Sequence, residues 1–255
     1  MTLPLSGRHI AITRPPAQAT KLTQAILAAG GEVLSFPLLE IAPLADLQAF
    51  QQAVTPLSSF DWVIFISSNA VEHGMPLLRQ QGLPSGLRFA AIGPVTAQAL
   101  QAQGIPEVLT PEGRFDSEAL LALPAFQQMQ GQRVLIVRGV GGRELMAETL
   151  MARGASVVFG ECYCRVNPQR SDQLLQAAYA ASQLHAVVIT SSEALRFLLD
   201  LAAKSDWLQQ VPLFVNHARI AEQAAAHGLT VFSANQPGDP AMLALLQSQL
   251  SSAAT

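Results

Sequence analysis

Short apolar runs alternate along this chain with longer stretches whose apolar side chains recur at helical spacing. The runs His9–Thr13, Glu32–Phe36, Trp62–Ile66, Phe89–Ile92 and a short one near Val108 read as buried parallel strands. So do Arg133–Val137, Ser156–Phe159, Ala186–Thr190, Leu213–Val215 and Thr230–Phe232. Between them Leu22, Ile26 and Leu27 form an apolar helical stripe that stops at Gly30-Gly31, and Leu145, Thr149 and Leu150 form another that stops at Gly154. Glycine ends helices because it accepts left-handed backbone without steric cost. Pro94, after Gly93, stands where a proline opens a helix, since the N–H it lacks would be unbonded there anyway. Alternating strands and helices predict an α/β protein with doubly wound parallel sheets.

The pattern also repeats. The segment from Gly7, "GRHIAITRPPAQATKLTQAILAAGGEVLSF", matches the one from Gly131, "GQRVLIVRGVGGRELMAETLMARGASVVFG", at an offset of 124. Arg14 falls on Arg138, and Gly30 on Gly154. At the same offset of 124, "DWVIFISSNAV" from Asp61 matches "HAVVITSSEAL" from His185, setting Ser67 on Ser191 and Ser68 on Ser192. Further on, "RFAAIGPVTAQALQAQGI" is matched to "PLFVNHARIAEQAAAHGL" with Ile92 opposite Val215, an offset of 123 that implies one lost residue. A register held this long marks an internal duplication. Each half reads strand, helix, strand, connecting segment, then strand, helix, strand, helix, strand. Pro37–Leu44 and Glu161–Pro168 stand apart as linkers, since Pro37 and Pro43 argue against a central strand. A simple cut near residue 127 and an exchange of leading βαβ units between the halves fit the sequence equally.

Composition narrows the class. Hydrophobic residues make up 50% and charged residues 13%, with mean hydropathy +0.29, which excludes a disordered chain. A net charge of -3 and a pI near 5.9 give no electrostatic case for nucleic acid or an acidic membrane surface. Lys21 and Lys204 are the only lysines, and the arginines that make up the other basic residues suit forked binding of carboxylate or phosphate. Cys162 and Cys164, two apart in a strand, share a face, which disfavours a mutual disulfide and offers too few ligands for zinc. Both read as reduced thiols. The stretch from Met1 to His9 lacks the apolar core of a secretory signal, and the longest apolar runs are too short to span a bilayer, so a cytoplasmic protein is expected.

In open α/β sheets, ligands bind beyond the carboxyl ends of the strands. Thr13-Arg14, Ser67-Ser68-Asn69, Gly93 with Thr96, Arg138-Gly139, Thr190-Ser191-Ser192 and Asn216-His217 all follow predicted strands. Helix N-termini there present free N–H groups and the positive dipole end, so they hold anions. A ligand with several carboxylates or phosphates, held between two sheets, fits this set. Each Ser or Asn alone reads first as a helix cap, stabilising by about 1 kcal/mol. Other motifs fail. Gly139-Val140-Gly141-Gly142 lacks the third glycine of a dinucleotide loop, because Glu144 stands there. There is no Walker lysine and no G-x-S-x-G, and His9, His73, His185, His217 and His227 are scattered without metal-ligand spacing. No cofactor and no metal are expected.

The ordered set "ITRP" (Ile12–Pro15), "SFPLLEI" (Ser35–Ile41), "DWVIFISSNAV" (Asp61–Val71), "AIGPVTAQAL" (Ala91–Leu100) and Arg138, Gly139 and Arg143 resembles the uroporphyrinogen-III synthase family over essentially the whole chain. The resemblance implies two doubly wound parallel-sheet (flavodoxin-like) α/β domains joined by a two-stranded antiparallel ladder. One domain would be discontinuous (1–37 plus 169–255), the other inserted (46–160), with 38–45 and 161–168 as the ladder. The active site would lie in the cleft between them. The implied activity is a cofactor-independent hydro-lyase of haem biosynthesis. It cyclises linear hydroxymethylbilane to uroporphyrinogen III with loss of water and inversion of ring D, through a spiro intermediate. Such a substrate carries many acetate and propionate arms, and its own pyrrole nitrogen assists ionisation, so catalysis by positioning is expected.

By that resemblance Tyr163, in "ECYCR", is the residue that donates a proton to the leaving hydroxyl or holds it. Arg14, Ser67, Ser68, Asn69, Gly93, Thr96, Arg138, Gly139, Arg143, Ser191, Ser192, Asn216 and His217 are expected to bind substrate. One departure stands out: where the family carries a second glycine-threonine stretch, this chain has Val215-Asn216-His217-Ala218-Arg219. A monomer, with transient hand-over of substrate from the preceding deaminase and no nucleic-acid or membrane partner, completes the expectation. Two rivals share parts of the pattern: a non-catalytic two-lobed binding module for a polyanionic small molecule, and a nucleotide-using transferase, which lacks its phosphate loop here.

Overall fold

The structure is a computed structural model that describes residues 3–236 and 238–251. In chain order it contains β1 (His9–Ile12), α1 (Pro16–Ala28), β2 (Glu32–Ser35), β3 (Glu40–Pro43), α2 (Gln48–Ala53), β4 (Trp62–Phe65), α3 (Ser68–Gln80) and β5 (Arg88–Ala91). There follow α4 (Pro94–Ala102), β6 (Val108–Leu109), α5 (Ser117–Ala122), β7 (Arg133–Gly139), α6 (Leu145–Ala152), β8 (Ser156–Val166) and α7 (Gln173–Ala180). The last are β9 (Ala186–Ile189), α8 (Ser192–Leu201), α9 (Trp207–Gln210), β10 (Leu213–Val215), α10 (Ala218–Ala226), β11 (Val231–Ser233) and α11 (Asp239–Leu250). Among the described residues no helix is long and apolar enough to cross a membrane.

The strands form two sheets, ordered β11-β10-β9-β1-β2 and β3-β8-β7-β4-β5-β6. The first is parallel throughout, and so are the β7–β8, β4–β7, β4–β5 and β5–β6 pairs of the second. The leading β1–α1–β2 of the first repeat therefore sits beside β9 to β11 of the second, and β7–α6–β8 beside β4 to β6 of the first. Apart from β3, each sheet has the same doubly wound order, with the strand direction of build-up reversing at β1/β9 and at β7/β4. The chain divides into two compact units, Met1–Glu40 with Val166–Thr255, and Ile41–Arg165.

Each sheet is apolar on both faces, which is why its strands read as continuous hydrophobic runs. In the Ile41–Arg165 unit Val63, Phe65, Leu135 and Val137 pack with residues of α3 and α4, while Trp62, Ile64, Val134 and Ile136 pack with α5 and α6. In the other unit Ala11, Val187, Ile189 and Leu213 face α7, α8 and α10, while Ile10, Ile12, Val188 and Phe214 face α1 and α11.

Three sequence expectations are corrected. The lost residue falls later than expected: Ala91 pairs with Phe65 and Val215 with Ile189, which keeps the offset at 124 there, whereas Phe89 pairs with Val108 and Leu213 with Val231, an offset of 123 between β6 and β11. Matching apolar Ile92 to apolar Val215 misled; its true counterpart is Asn216, and Gly93 corresponds to His217. The N-caps of α4 and α10 are indeed Gly93 and His217. Second, the segment from Glu161 does not leave the sheet: β8 runs on unbroken to Val166, with β3 beside it at the sheet edge. Pro43, as the last residue of an edge strand, costs no ladder bond. Third, the connecting segments carry the helices α2 and α7, and α5 and α11 follow the last strand of each half.

Candidate active site

In the Ile41–Arg165 unit the carboxyl ends of β4, β5 and β7 lead into α3, α4 and the loop before α6. Ser67, Gly93 and Arg138–Arg143 thus lie at one end of the sheet. Ser67 caps α3, its Oγ accepting the Ala70 N–H at 3.0 Å. The same Oγ lies 3.2 Å from Tyr163 Oη. A bulge creates this contact: the β7–β8 register slips between Arg138 and Gly139, so Gly139 faces Tyr163, and the Val140 N–H donates to the Tyr163 carbonyl at 2.8 Å. The tyrosine ring lies directly on Gly139, where a Cβ would come within 2.5 Å of Cε2. Tyr163 is 1% exposed, so Ser67 rather than the phenol is the group nearer the surface.

Arg138, expected to meet a ligand, is turned inward. It is buried, its Nε donates to Glu161 Oε1 at 3.2 Å, and its guanidinium lies 4.0 Å over the Phe159 ring. The same carboxylate oxygen accepts the Gly141 N–H at 3.1 Å. Glu161 therefore ties the buried arginine to the loop that ends in Arg143. Residues 140–144 correspond by the repeat to the first turn of α1, but Gly141 and Gly142, at φ +70° and +113°, keep them out of a helix. Arg143 is exposed and makes no ion pair with any described residue.

Ser68 is exposed at the start of α3, Asn69 is half-buried, and Thr96 is buried on α4. Among the described residues no side chain caps the first turn of α4, and Pro94 has no N–H, so the Val95 and Thr96 amides are its open donors. Asp116 caps α5, accepting the Ala119 N–H at 2.9 Å; that bond, outweighing burial, and Arg114 nearby hold its carboxyl below the usual range. A cleft of about 280 Å³ opens among Ile66, Ile92, Phe115, Arg138, Arg143 and Arg165. Larger hollows of about 640 and 620 Å³ lie at the opposite, amino ends of the strands, around Gln209 and Glu107, away from these groups.

In the Met1–Glu40 and Val166–Thr255 unit the carboxyl ends of β1, β9 and β10 gather Arg14, Ser191, Ser192, Asn216 and His217. Arg14 Nε donates to Thr190 Oγ1 at 3.2 Å, and its Nη1 pairs with Asp239. Ser191 caps α8 through the Glu193 and Ala194 amides. Ser192 Oγ and Asn216 Oδ1, just past the ends of the adjacent strands β9 and β10, are buried and have no hydrogen-bond partner among the described residues. His217 is exposed and gives α10 no side-chain cap. The expected residues thus form two separate groups, one in each unit.

Sequence reasoning missed Glu161, Asp239 and Phe115. Glu161 reaches Arg138 across 23 residues as its partner on the neighbouring strand, which no local pattern announces; Asp239, an acid in a helix's first turn, was the findable one. Among the described residues no group of three or more His, Cys, Asp or Glu side chains is placed to hold a metal ion. Burial pushes the Cys162 thiol up to about 12, so it stays protonated.

The family model for uroporphyrinogen-III synthase HemD matches residues 20–244. The uroporphyrinogen-III synthase of Escherichia coli is 34% identical over 226 residues, covering 86% of this chain and 91% of that protein. The one of Salmonella typhimurium is 37% identical over 229 residues, with the same 86% and 91% coverage. A crystallised mutant uroporphyrinogen III synthase of Thermus thermophilus shares the fold at TM-score 0.62 and 18% identity, covering 95% of this chain and 97% of that one. The enzyme of Helicobacter pylori does so at TM-score 0.58 and 17% identity, covering 95% and 99%. With its duplicated α/β frame, its strand-end donors and a match from residue 20 to residue 244, the chain belongs to the uroporphyrinogen-III synthase family.

Proposed function

We propose that this protein closes hydroxymethylbilane to uroporphyrinogen III, losing water and inverting ring D. The match of the family model to residues 20–244 carries this reading. The chemistry of the strand ends supports it. The substrate is a flexible polycarboxylate, and each unit offers donors for carboxylates. In one unit these are Arg143, Ser68, Asn69 and the Val95 and Thr96 amides; in the other they are Ser192, Asn216 and the open first turn of α10 behind His217. Arg138 and Gly139 shape the loop rather than bind, and Arg14, held by Asp239, does the same in its unit.

The substrate's own pyrrole nitrogen drives loss of the hydroxyl, and the protein has to fold the chain so that the substituted carbon of ring D attacks. Proton delivery to the leaving hydroxyl runs from Tyr163 through Ser67, because the phenol is buried and Ser67 Oγ lies 3.2 Å from it. Tyr163 is on this reading a positioning residue behind Ser67. The chain works as a monomer, which sedimentation at assay concentration tests. Incubation with freshly made hydroxymethylbilane, followed by separation of the type I and type III isomers, tests the activity: spontaneous closure gives type I, so a type III product above background supports the reading. Tight binding without turnover would favour the two-lobed binding module.

A further inference from the structure

Phe115 is a large apolar side chain left 53% exposed at the carboxyl end of the Ile41–Arg165 sheet, in the loop between β6 and α5. It lines the same cleft as Arg143, Arg165 and the apolar Ile66 and Ile92. Gly93 makes room for it. Gly93 has φ −171° and ψ 174°, extended backbone that any residue adopts, so its torsions do not require glycine. The fit is close all the same: a Cβ at Gly93 would meet Phe115 Cβ at 3.0 Å and Cγ at 3.4 Å, so the ring would have to give by a few tenths of an ångström. The repeat sharpens the point. At the offset of 124 the counterpart of Gly93 is His217, so the second half carries a side chain where the first leaves room.

We propose that Phe115, seated on Gly93, contacts substrate by stacking on one pyrrole ring while neighbouring cations hold that ring's carboxylate arms. The inference rests on the activity proposed above and adds a specificity-determining residue to it. A ring suits a ring: offset stacking favours aromatic over aliphatic cover, and the loss on truncation corresponds to about a three- to ten-fold weakening.

The test measures steady-state kinetics on hydroxymethylbilane for Phe115→Ala, Phe115→Leu, Phe115→Tyr, Gly93→Ala and the Gly93→Ala/Phe115→Ala pair. Phe115→Ala is expected to raise KM about three- to ten-fold with kcat nearly unchanged, as loss of uniform binding does. Phe115→Tyr restores KM and Phe115→Leu does not. Gly93→Ala raises KM by displacing the ring, so adding it to Phe115→Ala costs nothing more. An unchanged KM in Phe115→Ala, or full rescue by leucine, overturns the proposal. In parallel, a monopyrrole bearing acetate and propionate arms is titrated against the intact protein by NMR. If the parent protein makes no type III isomer yet Phe115→Ala weakens pyrrole binding, the activity reading falls and the Phe115 contact stands; equal pyrrole binding by both proteins removes the contact.

Discussion

Replacing Gly139 by alanine puts a methyl group where the Tyr163 ring already lies. The added Cβ would sit 2.5, 2.6 and 2.9 Å from ring atoms Cε2, Cζ and Cδ2, against a normal carbon–carbon contact of about 3.5–4.0 Å. One side has to move by about 1 Å, and neither is free. The ring is 1% exposed within the core, and the Val140 N–H to Tyr163 carbonyl bond of 2.8 Å pins the two strands together. Overpacking of this kind costs about 1–3 kcal/mol, and the pinned backbone places this case near 3 kcal/mol. The chain supplies its own probe, because one of its two tryptophans, Trp62, lies in this unit and the other, Trp207, does not. In a Trp207→Phe background, urea unfolding read by Trp62 fluorescence should shift its midpoint down by about 1.5 M, taking a slope of about 2 kcal/mol/M. In a Tyr163→Leu background the same Gly139→Ala change should cost about 1 kcal/mol or less, since the smaller side chain yields the space. A cost within about 0.5 kcal/mol of zero, or an equal cost in both backgrounds, would refute the account of the bulge.

Tyr163→Phe removes only the hydroxyl that meets Ser67; it should lower turnover while costing about 1 kcal/mol of stability, and unchanged turnover removes the phenol from the mechanism. Asp172 is 5% exposed and accepts bonds from Ser205 Oγ at 2.6 Å, Trp207 Nε1 at 2.8 Å and Gln176 Nε2 at 3.0 Å. Asp172→Ala should therefore cost about 3 kcal/mol, read from Trp207 emission during urea unfolding, and a loss under about 1 kcal/mol would contradict this. His185 Nδ1 accepts the His9 N–H at 3.1 Å, which requires that nitrogen unprotonated, and burial, followed by the charges of Arg8 and His9, lowers its pKa from 6.5. The unfolded chain thus takes up the proton first as pH falls, so stability rises with pH from the folded value up to 6.5 and is level above it. His185→Asn should flatten that rise in melting temperature between about pH 5 and 7, and an unchanged slope would assign it to other groups.

The strands were legible because a sheet buried on both faces leaves short, nearly continuous apolar runs, as at Trp62–Phe65 and Ala186–Ile189. The pairing of those strands was not. Because the leading βαβ units of the two halves resemble each other, β1–α1–β2 fits beside β9 or β4 with the same apolar faces, and only the three-dimensional arrangement distinguishes them. The site was half legible. Ser67 and Ser191 follow strands and cap helices as their positions suggest. Arg138 carried no sign of its inward turn, because Glu161 becomes its cross-strand partner only when β8 extends past Phe159. Phe115 lies in a loop without periodicity, and its meaning comes from its contact with Gly93, 22 residues earlier in the chain.

The most direct measurement is the isomer ratio formed from fresh hydroxymethylbilane by the full chain, set against the spontaneous reaction. The account predicts predominantly type III uroporphyrinogen without any added cofactor, and a type III yield that falls in Tyr163→Phe. Type I product at the spontaneous rate, with no type III above background, would contradict it.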